Sequence, residues 1–463
     1  MTSIKKRYCI ALLTMLTIAA FFGCKNSNHT DKPILTTAIS QIDTNENNHE
    51  EQIHDYDSPY TICYKNKNNT YSMYVFSSPI QYNSGTGYEI IDNTVVKTEK
   101  EGFAYENRSN EIKTYFPLSL SEYFVVEQGT TYIKFKPSWN VEGFTEAQES
   151  IFTNMYGDKV YAVIYKRDDM EAAFYPTKAG IKAEIVLREL PQVNTFDFIV
   201  KSSNKSYENN QNGYIVFKSV NENKSVIYGP LVQYTHKEKQ QMDATAKIGI
   251  DRERGNTNVL LTIDEDILDN ISEAHPVRFD LAFDLYLNKL PDSTVYSKHD
   301  INNYLANYAV IGNHPVFGAG WHYLRFRLNW FFQIQSENIT NATYSIRNLY
   351  STDESSEIQL LDMDNQWSST ELQWNNRSKM YHEYLDFEYK SEQYVNIPIT
   401  SFVKKAFDDE SWLEESHGLL LQNNMEDQFS IFATSDNTLY SPYLRIDMTE
   451  LPETFVPQDN INP

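Results

Sequence analysis

Cysteine is nearly absent from this sequence. The 463-residue chain has three, and only Cys63 lies beyond the first two dozen residues, which hold Cys9 and Cys24. One thiol closes no internal disulfide and builds no multi-cysteine zinc site, so the fold must rest on its apolar core. Cys63 itself is expected as a small buried apolar residue. Signatures of chemistry are missing as well. There is no Gly-x-Ser-x-Gly elbow, no His-Glu-x-x-His, no phosphate loop and no dinucleotide fingerprint. Among ten histidines, His314 and His322 come nearest to a metal-like pair, flanking Pro315-Val-Phe-Gly-Ala-Gly320. In a loop entering a strand they read as loop or satisfied core histidines. Helical periodicity is weak, and past the leader no apolar run approaches membrane length. Basic residues are few: 40 Lys and Arg face 63 Asp and Glu, a formal charge of -23. That balance repels nucleic acid and anionic headgroups but is compatible with calcium or a neutral glycan.

The chain opens on Lys5-Lys-Arg7, an apolar run over 8–22, and Gly23-Cys24. A positive start, a run too short to span a bilayer comfortably and a small residue before the break describe a secretory signal. The Gly-Cys junction resembles the lipobox of bacterial lipoproteins, although Phe21 and Phe22 depart from its usual Leu and small residue. The resemblance implies cleavage before Cys24 and acylation of its thiol, giving a lipid-anchored partner relationship with the membrane. An uncleaved N-terminal anchor is the alternative, and either places the rest outside the cytoplasm. The segment 25–57 is rich in Asn, Thr, His, Asp and Glu, and is expected as a disordered polar tether.

Beyond Pro59 short apolar runs alternate with turn residues. Phe279, Leu281, Phe283, Leu285 and Leu287 share one face, against Arg278, Asp280, Asp284 and Asn288. Leu324, Phe326, Leu328 and Trp330 repeat the pattern, as do Leu444, Ile446 and Met448. Val160-Tyr-Ala-Val-Ile164, Ile185-Val-Leu187 and Val259-Leu-Leu-Thr-Ile263 read as strands buried on both faces. Only 400–407 and 265–274 suggest helix. Many short strands between turns predict an all-β fold of two sandwich-type domains, the second like a jelly roll. Boundaries are expected at 1–23 (signal), 24–57 (tether), 58–288 (first β domain), 289–450 (second) and 451–463 (tail), with a break around 288–300.

Adjacent carboxylates such as Asp168-Asp169, Asp408-Asp-Glu410 and Glu414-Glu415 fit a solvated surface better than a glycosidase pair, which must span a cleft. No catalytic residue is assigned. Asp362 and Asp364 offer calcium ligands in a turn-like stretch, without the Gly and distal Glu of an EF-hand loop. No other cofactor is expected. Tryptophan is the better lead: Trp321, Trp330, Trp367, Trp374 and Trp412 crowd the C-terminal block, with only Trp139 before them. Trp330, on an apolar strand face, reads as core. Trp367, Trp374 and Trp412 are the glycan-binding candidates, since exposed rings stack on sugar faces; core packing is the competing role.

The C-terminal block resembles the DNRLRE domain, a β-sandwich of bacterial and archaeal surface proteins akin to carbohydrate-binding jelly rolls. Tyr323-Leu-Arg-Phe-Arg-Leu328 with Ile339-Thr-Asn-Ala-Thr-Tyr344, Trp367-Ser-Ser-Thr-Glu-Leu-Gln-Trp374, Val395-Asn-Ile-Pro-Ile-Thr-Ser-Phe-Val403 and Gly418-Leu-Leu-Leu421 through Ile446 carry the likeness. The preceding block is similar to the region accompanying that domain in wall-associated and RHS-type proteins, through Tyr88-Glu-Ile-Ile-Asp-Asn93, Ala179-Gly-Ile-Lys-Ala-Glu-Ile-Val-Leu187 and His275-Pro-Val-Arg-Phe-Asp280. The family defines no catalytic residues, and no toxin function is carried over from larger relatives. The expectation is a non-catalytic surface lipoprotein associated with cell wall or extracellular polysaccharide. A polysaccharide-processing enzyme with its site in the first domain, or a purely structural or adhesive component, are the alternatives.

Overall fold

A computed structural model describes residues 48–455 except 205, 211–213, 219–223, 230, 237–238, 245–246, 252–256, 270, 273, 286–291, 300–302, 326–331, 354, 364–366, 378–380, 391–393, 409–417 and 453. Cys24, Trp330, Asp364 and Trp412 lie outside the described residues. What is described is all-β, with short helices at Thr400–Asp408 and Glu265–Leu268. The second helix is briefer than the 265–274 pattern suggested.

Period-two alternation becomes structure most plainly in the first block. An eight-stranded sheet, running from Asp92–Lys97 at one edge to Lys247–Asp251 at the other, faces a ten-stranded sheet across one aromatic core. At the centre of the larger sheet, Gly180–Leu187 pairs antiparallel with Val277–Leu285 from Gly180↔Asp284 to Leu187↔Val277. Phe279, Leu281, Phe283 and Leu285 point into the core as the alternation predicts. Their polar alternates are not at a solvated face: Asp280 and Asp284 are buried. A second layer covers them, and a strand's own pattern cannot distinguish water from a polar interface. Gly180 is required here, because a Cβ would sit 2.0 Å from the Phe283 carbonyl oxygen. Ile185, Val186 and Leu187 are buried on both faces as expected. In Thr257–Thr262, by contrast, Val259 and Leu261 point inward while Leu260 stays partly exposed.

The second block is a sandwich whose two sheets share one long strand, Ile339–Ser351. Its first half pairs with Tyr443–Met448 in one layer and, past a bulge, its second half pairs with Phe429–Ala433 in the other. Leu419, Leu421, Ile311, Phe432, Leu444 and Ile446 fill the space between the layers. Cys63 is also there, fully buried, and burial pushes its thiol up to about 12, so it is an inert packing group.

Cys63 exposes a difference from the expected boundaries. Strands Thr61–Asn66 and Tyr71–Phe76 precede the first block in sequence yet belong to the sandwich, the latter pairing with Tyr443–Met448 from Tyr71↔Met448 to Phe76↔Tyr443. The first block is therefore inserted into the sandwich rather than strung before it, and all described residues fall within one compact unit. The expected tether is likewise shorter at its inner end. His49–Gln52 pairs with the strand at Thr61–Asn66, and Tyr56 packs on Phe455 at 5.3 Å. Ring stacking of His49 on Tyr64 at 4.4 Å helps hold a segment that composition alone reads as solvated. In the expected tail, Thr454–Phe455 pairs with Phe332–Gln333.

Candidate functional site

The outer face of the sandwich layer built on Gly318–Leu324, Leu419–Gln422 and Ser355–Met363 carries the aromatic lead. Side chains opposite each other across a ladder share a face. The pairs Val295↔Trp321, Tyr323↔Leu420 and Leu361↔Leu420 put these residues on the side away from the inter-layer core. The loop 367–377 folds over this face. Leu372 and Glu371 donate backbone N–H to the Ser368 carbonyl, at 3.0 and 3.2 Å. Asn376 accepts from the Gln373 N–H at 2.7 Å and donates to the Glu371 carbonyl at 2.8 Å, so the loop braces itself.

Within that loop the two tryptophans part company. Trp367 is 6% exposed, packed among Val295, Tyr323, Leu361, Met363 and Leu420. Arg325 lies over its ring at 4.7 Å and donates to its carbonyl. Trp367 thus serves packing, a correction to its candidacy: a ring beneath the loop cannot stack on a sugar. Trp374, seven positions on, stays partly exposed at the rim and meets Trp321 with ring centroids 5.2 Å apart and planes at 59°. The Arg377 guanidinium sits 3.5 Å from the Trp374 ring centroid and 4.6 Å from that of Trp321, and donates to the Trp374 carbonyl. Cation–π attraction fixes both rings and leaves a cationic edge beside an apolar surface. Two rings offer stacking faces and one guanidinium offers donors, the complement of a sugar's C–H face and oxygens. Trp321 and Arg377 were passed over in the sequence. The signal for Trp321 was its two-residue offset from Tyr323, which puts both on one strand face.

The other candidates resolve differently. Asp362 pairs with Lys405 at 2.8 Å. Among the described residues no group of three His, Cys, Asp or Glu side chains is placed to hold a metal. His314 is buried against Phe317 and Phe429, and burial lowers it to about 4. His322 is buried at Thr294 Oγ1, 3.0 Å from its Nδ1, and its Nε2 lies 3.8 Å from Asp292. Both are buried core histidines. Asp169 is held by Arg167 at 2.5 and 2.9 Å, which keeps its carboxyl below the usual range.

A serine–lysine constellation that the sequence did not reveal lies where the insert meets the sandwich. Lys178 Nζ donates to Ser441 Oγ at 2.8 Å and approaches Ser78 Oγ at 3.5 Å, and the two hydroxyls bond to each other. Burial drives Lys178 down to about 7. A neutral lysine beside a serine is the composition of a nucleophilic pair. With all three side chains at most 3% exposed, no substrate reaches them, and the group reads as a buried polar lock.

Fold and face together define an all-β protein whose C-terminal sandwich presents an aromatic, arginine-edged platform. Residues 284–448 match carbohydrate-binding module family 96. The match is to this family rather than to the DNRLRE domain the sequence suggested; what the two readings share is a carbohydrate-binding type of sandwich. No curated protein matches the chain. Among solved structures the chain is similar to an exo-β-1,3-galactanase from Phanerochaete chrysosporium, at 7% identity over 81% of this chain and 100% of that one, with a TM-score of 0.14. It is also similar to the N-terminal domain of the Streptococcus gordonii adhesin Sgo0707, at 5% identity over 89% of this chain and 88% of that one, with a TM-score of 0.10. Similarities this slight carry no argument.

Proposed function

We propose that this protein is a non-catalytic surface component that holds polysaccharide on the outer face of its C-terminal sandwich, anchored to the membrane by lipid on Cys24. The observation that carries the binding role is the platform of Trp321, Trp374 and Arg377 lying within the residues that match a carbohydrate-binding family. Rings held rigidly at the rim lose little entropy on stacking, and the guanidinium adds directional donors. The wall or extracellular polysaccharide is the partner class this platform suits. The leader, the Gly23-Cys24 junction and the polar residues behind it support the anchor.

The binding role is tested by retention of the ectodomain on immobilised polysaccharides. Replacing Trp321 and Trp374 together by alanine is expected to weaken retention at least about tenfold, about 1.4 kcal/mol, with little change in thermal unfolding. Unchanged retention, or unfolding that drops in step with it, would refute the platform. Release of new reducing ends from any retained polysaccharide would instead establish an enzyme. For the anchor, Cys24→Ser is expected to abolish incorporation of labelled fatty acid, and persistent labelling would remove Cys24 from that role.

A further inference from the structure

At the centre of the ten-stranded sheet, five ionisable side chains, Lys182, Glu184, Arg278, Asp280 and Asp284, share the face turned away from the aromatic core. Lys182 and Glu184 alternate on one strand, and Glu184 lies directly across the ladder from Asp280 on the next. Lys182 Nζ approaches Asp280 Oδ2 to 2.5 Å, and both side chains are 4% exposed. Tyr156 donates its hydroxyl to the same Asp280 oxygen at 2.6 Å, while the Leu231 N–H donates to Oδ1 at 3.0 Å. Both carboxyl oxygens are therefore gripped, and the amine lies in contact with one of them. Glu184 is fully buried. It accepts from the Met155 N–H at 3.1 Å and meets Arg278 at 2.5 Å. Burial outweighs that arginine and raises Glu184 to about 7, so a protonated form is accessible near neutrality.

We propose that Lys182 and Asp280 condense after folding into an intramolecular amide, with Glu184 as the proton carrier. The step begins as one proton passes from the Lys182 amine to Asp280 Oδ2 along their contact. The amine lone pair attacks Asp280 Cγ and forms the N–C bond. The oxyanion develops on Oδ1, where the Leu231 N–H holds it, and Oδ2, gripped by the Tyr156 hydroxyl, is the oxygen that leaves. Glu184 gives its proton to the departing hydroxyl, the C–O bond breaks, and one water leaves. The resulting Glu184 carboxylate then takes the surplus proton from nitrogen, which restores the acid. No oxidant, reductant or second substrate is consumed. Burial blocks an external substrate but not a reaction whose two partners are already in contact, where proximity replaces collision. A chain whose only cysteine beyond the leader is buried and lone has no disulfide available as a covalent staple, and this amide would tie the two central strands of the insert.

Trypsin digestion of the folded, purified protein followed by mass spectrometry decides the matter. The expected product is peptide 179–188 joined to peptide 279–289, with the summed mass less one water and no cleavage after Lys182. Free peptides 179–182, 183–188 and 279–289 from natively folded protein would overturn the proposal. Lys182→Arg keeps the charge pair and is expected to abolish the joined peptide. Glu184→Gln, with folding checked by circular dichroism, is expected to cut its yield at least about tenfold, a loss of about 1.4 kcal/mol in barrier lowering. An undiminished yield there would overturn the role of Glu184.

Discussion

Phe135→Ala is expected to destabilise the protein by about 3–5 kcal/mol. Phe135 lies fully buried between the two sheets of the insert, stacked on Phe283 at 3.6 Å with planes at 7° and on Phe124 at 5.2 Å with planes at 9°. Phe283 comes from the ten-stranded sheet and Phe124 from the eight-stranded one, so the ring is one of the links between the layers. Its removal leaves a cavity that neighbouring rings, themselves packed on Phe174 and Phe198, cannot collapse to fill. Urea unfolding followed by tyrosine and tryptophan fluorescence measures the loss. A midpoint unchanged from the parent protein would show that the layers are joined by other contacts.

Lys178→Met is expected to act in the opposite direction. Lys178 is buried with its amine against the Ser78 and Ser441 hydroxyls, and burial lowers it from 10.5 to about 7. The unfolded chain therefore binds more protons than the folded one between those values. By linkage this group's contribution to stability rises as pH climbs from about 7 to 10.5, and its penalty is complete below about 7. Removing the amine should stabilise the protein by on the order of a few kcal/mol at or below pH 7, with the gain vanishing in alkali. The two serine hydroxyls bond to each other in the parent and are expected to keep that bond in the variant. Glu184 and Asp284 carry the opposite sign. Burial raises each to about 7, so stability they contribute below their unfolded values is lost as pH rises from about 4 to 7. The parent protein should show a shallow stability minimum near neutrality, and Lys178→Met should lose only its alkaline arm. Unfolding midpoints on either side of pH 7 check this. A variant less stable than its parent in mild acid would show that the amine is held more favourably than its burial implies.

These two residues mark how far the sequence could be read. Phe135 sits in an alternating strand, and alternation with many aromatics was enough to predict an all-β core. Lys178 shows no pattern, since its burial comes from Ser441, 263 positions away. Asp280 and Asp284 looked like a wet face for the same reason: a strand's local pattern records that one side is polar, not what covers it. The boundaries failed on long-range pairing, since nothing near Tyr71 announces a partner at Met448. At the platform, Trp367 and Trp374 share one loop and one composition. Which ring is covered depends on the strand beneath, so the site was legible as a region and not residue by residue. Asp364 and Trp412 fall outside the described residues.

The pairing of Tyr71–Phe76 with Tyr443–Met448 also sets an order of assembly. Strands made early in synthesis lack their sheet neighbour until Tyr443–Met448 has been made, so the sandwich has high contact order and closes slowly. The inserted block has its own core and can condense before that closure. Under the export proposed above, slow closure is useful: the sandwich stays threadable while the chain crosses the membrane, and locks once Tyr443–Met448 is through. Truncation just before Tyr443 would then strand the early segments as unpaired, aggregation-prone edges, even though the platform lies elsewhere.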